Sequence, residues 1–237
     1  MEFRTWWLVD KEAAQDGQED VRVAVARRKR AAMRERLLVA TSQLILNNPN
    51  ATAIAEDVIQ AADVSRATFY KYFNSVDEVI NVLGQRLADE TVLQLRASAA
   101  DLGEPLDRAA LGAQLLMARG YLQPGWGSFV TRSDHLSLDS NYAAAVRRTT
   151  LDARRRGDFR FNSTKAAVDF QIGAVMEGVR RLVGGQPHPR AYMCEVAAMT
   201  LKGLGADHGR SDRAAAQASR HLAAIGPRHL PWWRDFG

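Results

Sequence analysis

The 237-residue chain has little cysteine and no long apolar run, and both absences limit what it can be. Cys194 is the only cysteine, so an internal disulfide framework and a cysteine-rich zinc site are excluded. No apolar segment reaches the length that spans a bilayer, and charged residues interrupt the aromatic N-terminus well short of a signal-peptide core. We therefore expect a soluble, cytoplasmic protein without membrane contact.

The sequence also lacks the motifs of common catalytic sites. Its five histidines are dispersed, and no pair has the spacing of metal ligands. Neither a glycine-rich phosphate loop nor a nucleophile motif is present. These absences predict a protein that is not an enzyme and has no metal or cofactor. An all-helical enzyme or small-molecule carrier without recognisable motifs remains an alternative.

The alternating pattern of half-buried strands is missing as well, whereas helical periodicity recurs along most of the chain. We predict an all-α fold in three parts. Residues 1–26 form a flexible N-terminal arm, and residues 27–74 form a three-helix domain that includes two short helices joined by a turn. Residues 75–237 form a linker helix and a larger helical domain.

Two serines mark predicted helix starts. Ser75 is followed three residues later by Glu78, which is the spacing of a capping box at the start of the linker helix. Ser211 precedes the last helical segment and is predicted to be its N-cap.

Positive charge is concentrated near the first predicted helix. The net charge is only +5, but the following cations fall close together: Arg22, Arg27, Arg28, Lys29, Arg30, Arg34 and Arg36. Such a cluster is either a solvated charged run or a contact for nucleic-acid phosphates. Because Arg27 to Arg30 immediately precede the predicted helix, we place them on a mobile arm that enters a minor groove or lies along phosphates.

Two short helical segments follow, separated by the turn that contains Asp63. Val58 belongs to the apolar face of the first segment. In the second, Ser65 is a predicted N-cap, and Phe69 and Phe73 share the inner face. The lengths and the turn are typical of a helix-turn-helix, although the pattern alone also fits an ordinary amphipathic hairpin.

The outer face of the second segment carries polar and aromatic groups suited to a DNA groove. Arg66 and Lys71 have the charge to reach phosphates or a guanine edge. Thr68 suits a phosphate or a thymine methyl, and the hydroxyls of Tyr70 and Tyr72 suit backbone oxygens. These side chains are the predicted groove contacts.

This region resembles the DNA-binding signature of the TetR family of transcriptional regulators. The similarity is carried by Ala53–Val58, by Val64–Phe73 and by the acidic pair Asp77 and Glu78 after Ser75, and it covers roughly residues 27–95. By position it implies that Arg66, Thr68, Tyr70 and Tyr72 contact the groove and its phosphates. The predicted DNA-binding residues are Arg27, Arg28, Lys29, Arg30, Thr52, Ser65, Arg66, Thr68, Tyr70, Lys71 and Tyr72.

The chain departs from the family pattern at two positions. Asp63 stands where many members have glycine, although aspartate tolerates the left-handed conformation better than most residues do. Val76 replaces the usual lysine at the start of the linker helix, so one phosphate contact is missing and the helix N-terminus alone must serve there.

The resemblance implies that residues 27–74 are a helix-turn-helix DNA-binding domain and that residues 75–237 are a ligand-binding and dimerisation domain. It thus implies an effector pocket and a four-helix dimer interface in the second half of the chain. Large aromatic and aliphatic side chains are the predicted pocket residues, namely Leu115, Tyr121, Trp126, Phe129, Tyr142 and Phe170. Apolar stripes on two helices supply the predicted dimer interface, namely Ile172, Val175, Met176, Val179, Met193, Val196, Thr200 and Leu204. Periodicity alone fits an intramolecular core equally well for both sets.

These features predict a TetR-like regulator, a repressor that binds a palindromic operator as a homodimer. Its partners are double-stranded DNA, a second copy of the chain and an unknown small-molecule effector that releases it from DNA. A non-specific architectural DNA binder is a further alternative, which would bind duplexes without operator preference.

Overall fold

The computed structural model describes residues 21–47, 54–132 and 140–236. Within these ranges the regular structure is helical, with the elements α1 Val21–Asn47, α2 Ala55–Ala61, α3 Arg66–Tyr72, α4 Val76–Ser98, α5 Pro105–Leu122, α6 Pro124–Arg132, α7 Asn141–Arg155, α8 Thr164–Val183, α9 Pro189–Gly203 and α10 His208–His229. No strand occurs in the described ranges, so the predicted all-α class is confirmed.

The chain divides into two compact units, and the boundary falls inside α4. Unit 1 comprises Met1–Ile45 and Ala51–Leu83, and unit 2 comprises Leu46–Asn50 and Gly84–Gly237. The first two turns of α4 therefore belong to unit 1, and the rest of the helix belongs to unit 2.

The core of unit 1 is small and is built from one face of each of its helices. Its buried apolar residues are Leu37, Leu38, Ala40, Val58, Ala62, Phe69, Phe73, Val79 and Leu83. The rings of Phe69 and Phe73 lie 6.4 Å apart, as expected for aromatic residues four positions apart around one helical turn. Truncation of a buried phenylalanine to alanine typically lowers the free energy of unfolding by about 3–5 kcal/mol.

Unit 2 is organised around α5, which packs against α6, α7, α8, α9 and α10. Every residue from 113 to 120 is buried. Two glycines permit the close approach of α5 and α8. A Cβ on Gly120 would lie 2.6 Å from Cγ1 of Val179, and a Cβ on Gly178 would lie 2.6 Å from Sδ of Met117.

A fully buried arginine joins α4 and α5 within unit 2. Arg119 Nη1 lies 3.1 Å from Glu90 Oε1, and Arg119 Nη2 donates to Glu90 Oε2 at 3.2 Å. The guanidinium also lies over the rings of Trp126 and Trp232, at 4.5 and 5.8 Å from their centroids. The side chain is thus paired, and aromatic faces shield its charge.

The C-terminal tryptophans pack on unit 2. Trp232 is buried, and its Nε1 donates to Gln94 Oε1 at 3.1 Å. Trp233 lies against Gly226, where a Cβ would collide with the indole. The segment after α10 therefore covers apolar surface of unit 2.

Two predicted boundaries are wrong. α1 begins at Val21, so Arg27 to Arg30 are part of this helix and do not lie on an arm that precedes it. The segment from Val21 has no glycine or proline to stop a helix. The rest of the predicted arm, residues 1–20, lies outside the described residues. Ser211 is not an N-cap, since Asp207 caps α10 by accepting from the Arg210 amide at 2.8 Å.

Candidate functional site

The turn between α2 and α3 has the left-handed residue that the sequence indicates. Asp63 has φ 48°, and no other non-glycine residue of the described ranges has a positive φ. Arg36 on α1 holds the turn, because its Nη2 donates to the Asp63 carbonyl at 3.1 Å and to Asp63 Oδ2 at 3.3 Å. Aspartate thus occupies the glycine position at some conformational cost and gains a contact with α1.

Ser65 caps α3, as predicted. Its Oγ accepts from the Thr68 amide at 3.1 Å, and the Ser65 and Thr68 hydroxyls lie 2.9 Å apart. Ser65 thus satisfies a free backbone donor at the helix N-terminus, and the Thr68 hydroxyl is engaged with the Ser65 hydroxyl. Ser65 positions α3, and the exposed groups beyond the cap are the ones available to a ligand.

The inner and outer faces of α3 differ sharply in burial. Phe69 is fully buried, whereas the neighbouring Tyr70 is 44% exposed. Arg66 and Lys71 are exposed, and Tyr72 is half-buried. The structure thus places one tyrosine and two cations of the predicted set on the open face.

Arg66 is already paired within unit 1. Its Nη1 lies 2.6 Å from Oε1 of Glu56 on α2, and its guanidinium lies 5.7 Å from the centroid of the Tyr70 ring. Because both charged side chains are mostly exposed, water screens this ion pair. A DNA phosphate would compete with Glu56 for the same guanidinium.

The start of α4 is capped differently from the prediction. Ser75 Oγ accepts from the Glu78 amide at 3.1 Å, as in a capping box. Glu78 Oε2 accepts from the Asn74 amide at 2.7 Å rather than from the amide of Ser75. The negative side chain at this N-terminus stabilises the helix, and Val76 adds no cation.

The remaining predicted DNA contacts lie on α1 or outside the described residues. Arg27, Arg28, Lys29 and Arg30 are exposed along α1. The guanidinium of Arg34, one turn further on, lies 5.0 Å from the Phe73 ring centroid. Thr52 lies outside the residues that the structure describes. Since four consecutive residues span about one helical turn, these cations surround α1, and the helix is a more rigid arrangement than the predicted arm.

A cavity of about 390 Å³ lies within unit 2, between α4, α5, α7, α8 and α9. Its size suits a small organic molecule. The wall is mainly aliphatic and small, with the lining residues Val92, Leu95, Arg96, Ala99, Arg108, Ala109, Gly112, Ala113, Tyr142, Ala145, Val146, Arg148, Thr149, Asp152, Gln171, Val175, Ala197, Thr200 and Leu201.

Only Tyr142 of the predicted pocket residues lines this cavity. Leu115 and Trp126 are buried elsewhere in the core, and Phe170 is 47% exposed. Tyr121 and Phe129 pack against the core as partly buried residues. The prediction fails at these positions because bulky side chains fill the space between packed helices, so a cavity forms where the side chains are small.

The sequence does contain a signal for the cavity wall. Ala109, Gly112 and Ala113 on α5 are small residues at helical spacing that face the same space, with Ala145 opposite on α7. Small residues at positions 3 and 4 apart leave room between helices, which aromatic residues would occupy.

The buried polar groups of the cavity include the hydroxyl of Tyr142, the amide of Gln171 and the hydroxyl of Thr200. Burial raises the pKa of Tyr142, so its hydroxyl remains protonated at neutral pH. Gln171 Nε2 donates to Thr150 Oγ1 at 2.8 Å and to the Ala167 carbonyl at 3.1 Å. The amide orientation is thereby fixed.

The predicted dimer residues are mostly part of the core of a single chain. Val175, Met176, Val179, Met193, Thr200 and Leu204 are all buried. Ile172 and Val196 are partly buried against the same core. In place of these residues, the large exposed apolar side chains on α8 and α9 are Phe170, at 47%, and Met199, at 61%. Periodicity selects the apolar stripe but does not tell its inner edge from its outer edge.

No helix in the described ranges is long and apolar enough to cross a bilayer. The same residues contain no group of three or more histidine, cysteine, aspartate or glutamate side chains arranged to hold a metal ion.

No protein-family model and no curated protein matches the chain, but solved structures do. RolR in complex with the ligand resorcinol is similar at a TM-score of 0.68 and 18% identity, over 80% of this chain and 96% of that one. The fatty acid degradation regulator FadR from Bacillus halodurans has a TM-score of 0.60 at 18% identity, over 74% of this chain and 97% of its own.

A TetR-family transcription regulator from Marinobacter aquaeolei VT8 is similar at a TM-score of 0.54 and 14% identity, with 82% of this chain and 97% of that chain covered. The chain has the TetR-family fold. The predicted resemblance is therefore confirmed at the level of fold, including the order of a small N-terminal helical unit and a larger helical unit. The similarity shows the fold but not the roles of single residues, which have to follow from the geometry of this chain.

Proposed function

We propose that the protein is a TetR-like transcriptional regulator that binds double-stranded DNA through α3. The observation that carries this proposal is the two-sided character of α3, whose inner face buries Phe69 while Tyr70, Arg66 and Lys71 remain exposed. A helix that is capped, short and anchored on one face is the form in which a helix-turn-helix presents side chains to a major groove.

The exposed cations of α1 supplement this interface. Arg28, Lys29 and Arg30 lie on the same compact unit as α3. Cations on this unit neutralise phosphates and fix the register of a duplex, whereas Tyr70 and Arg66 reach the bases or the backbone beside them.

The second half of the proposal is a homodimer that uses α8 and α9. Phe170 lies across Gly203, since a Cβ there would be 2.7 Å from the Phe170 ring. Met199 is also exposed and lies one helical turn before Gly203 on α9, and we call Phe170 and Met199 the α8 and α9 patch. A second copy that covers this patch gives a two-fold assembly, which is the symmetry that a palindromic operator requires.

Effector control is the third part, and it places the ligand in the unit 2 cavity. α4 lines this cavity through Val92, Leu95, Arg96 and Ala99, and the first turns of the same helix belong to unit 1. RolR, a structure of similar fold, was solved with a small ligand. A ligand that favours one arrangement of α4 changes DNA affinity and is itself bound with different affinity by the DNA-bound form. Release of a repressor is the outcome that we propose.

The test is selection of duplexes from a random pool by the full-length protein at moderate salt. The winning duplex is then titrated against a scrambled duplex of equal composition. A palindromic winner with much higher affinity than the scrambled control supports the regulator. Weak uniform binding supports a non-specific architectural protein, and absence of salt-dependent binding supports an enzyme or a carrier.

Tyr70→Ala supplies the residue-level control for this test. It is expected to weaken binding to the selected duplex by about tenfold, because it removes a groove contact worth about 1–3 kcal/mol. The helical circular dichroism signal and the dimer mass should not change. Loss of fold would assign Tyr70 to the core instead.

A further inference from the structure

The unit 2 cavity combines an aliphatic wall with a cationic mouth. Residues such as Val92, Leu95, Val175 and Leu201 face the cavity with hydrocarbon only. A wall of this kind favours a ligand with an apolar body, because such a body gains free energy when it leaves water.

The charged lining residues are three arginines and one aspartate. One of the arginines, Arg108, forms an ion pair with the aspartate, Asp152. Arg108 Nη1 donates to the Gly103 carbonyl at 2.8 Å, and its Nη2 lies 3.8 Å from Asp152 Oδ2. Asp152 also forms an ion pair with Arg155. The single acidic group of the lining is thus shared between two cations.

Arg96 on α4 and Arg148 on α7 complete the charged lining. Both are exposed, and neither makes an ion pair with another residue of the described ranges. Because they line the cavity and still reach solvent, they mark its opening. Their hydrocarbon stems cover apolar surface while their guanidinium groups stay in water.

We propose that the cavity binds an amphipathic carboxylate, with the apolar body inside and the carboxylate at Arg96 and Arg148. The carboxylate accepts charge-assisted hydrogen bonds from guanidinium groups that make no ion pair with the described residues. A neutral ligand of the same shape buries the same hydrocarbon but leaves both cations without a counter-charge. This inference rests on the proposed function, since the carboxylate is the effector of that regulator.

The first experiment is calorimetric titration of the full-length protein with decanoate, decanol and decylamine. These probes share an apolar chain and differ in the charge of the head group. Decanoate should bind about tenfold more tightly than decanol, and decylamine should bind most weakly. The preference for decanoate should decrease with added salt, because exposed charges are screened. Equal affinity for decanoate and decanol would overturn the proposal.

Arg96→Gln and Arg148→Gln test which cations are involved. Each is expected to weaken decanoate binding about three- to tenfold and to leave decanol binding unchanged. Arg147→Gln is the matched control, since Arg147 is exposed beside Arg148 on α7 but does not line the cavity. An equal loss in Arg147→Gln would show a general effect of net charge and would contradict the assigned site.

Gly112→Leu tests the position of the apolar body. A Cβ at Gly112 meets Leu95 Cδ2 at 3.6 Å, an ordinary contact, so a larger side chain extends into the cavity without a clash at its first atom. Decanoate and decanol binding should both be lost while the melting temperature is maintained. Decanoate binding that survives this change would place the ligand on the surface and overturn the proposal.

Duplex titrations keep this inference separate from the proposed function. If decanol or decylamine changes affinity for the selected duplex and decanoate does not bind, the ligand class is wrong but the regulator stands. If decanoate binds as expected and no duplex is bound, the carboxylate site stands and the regulatory role is wrong.

Discussion

Arg66 on α3 and Glu56 on α2 form an ion pair across the helix-turn-helix, with 2.6 Å between Nη1 and Oε1. Both side chains are mostly exposed, and Arg66 also lies over the ring of Tyr70. The pair fixes the direction of a cation that is proposed to contact DNA. It also places a negative charge beside the same interface, where it opposes the approach of phosphates.

Glu56→Gln is therefore expected to raise DNA affinity. The substitution frees Arg66 for phosphate and removes a repulsive charge, and we expect a gain of about threefold because exposed ion pairs are worth less than about 1 kcal/mol. Fluorescence anisotropy with the selected duplex at two salt concentrations measures the change. Asp101→Asn removes an exposed negative charge from unit 2 and should have little effect. A decrease in affinity for Glu56→Gln would mean that the pair positions Arg66 for DNA.

Asp63 gives a second prediction, from its left-handed backbone at φ 48°. Asp63→Val should lower the stability of the helix-turn-helix by about 1–2 kcal/mol, because a β-branched residue fits this conformation poorly. Asp63→Gly should change stability by less than about 0.5 kcal/mol, since relief of strain is offset by the greater freedom of the unfolded chain. Hydrogen exchange of α2 and α3 reports this local stability. Equal protection in both variants would contradict a conformational cost at this position.

The contrast between Asp63 and the cavity shows how far the sequence could predict the structure. The turn, the Ser65 cap and the buried pair Phe69 and Phe73 depend on residues near one another in sequence, so local rules predict them. The cavity depends on how five helices pack. No local pattern shows that Trp126 fills space while Tyr142 lines it.

The same limit applies to helix faces and helix ends. Met193 and Met199 both lie on α9, yet Met193 is buried and Met199 is 61% exposed. Periodicity places Met193 in the apolar stripe and Met199 on another face, but it does not show which face neighbouring helices cover. The predicted start of α1 is later than the observed one, because the residues after Val21 neither stop a helix nor require one.

Met199→Glu tests the proposed dimer. The carboxylate would be placed in an apolar interface without a partner, so we expect a monomer with unchanged helical content. Sedimentation velocity measures the mass. Leu93→Glu is the matched control, since Leu93 is 55% exposed but lies on α4 and not on α8 or α9. Met193→Glu should instead unfold unit 2, because it buries a charge in the core. A dimer that persists in Met199→Glu would contradict the proposed interface.

Glu90 gives the pH dependence of stability in unit 2. Burial raises the pKa of Glu90 from 4.5 to about 7, and the attraction of Arg119 lowers it without compensating for desolvation. Between these two pH values, the Glu90 carboxyl group is ionised in the unfolded protein but keeps its proton in the folded protein. The free energy of unfolding should therefore fall as pH rises from about 4.5 to about 7, by an amount on the order of 2–3 kcal/mol.

Urea unfolding at a series of pH values, followed by tryptophan fluorescence, measures this dependence. Glu90→Gln should remove most of the slope, because the amide retains a hydrogen-bond acceptor for Arg119 but does not titrate. If the attraction of Arg119 outweighed desolvation, stability would instead rise with pH as the carboxylate formed. The sign of the slope in the unaltered protein thus decides which contribution controls the protonation of Glu90.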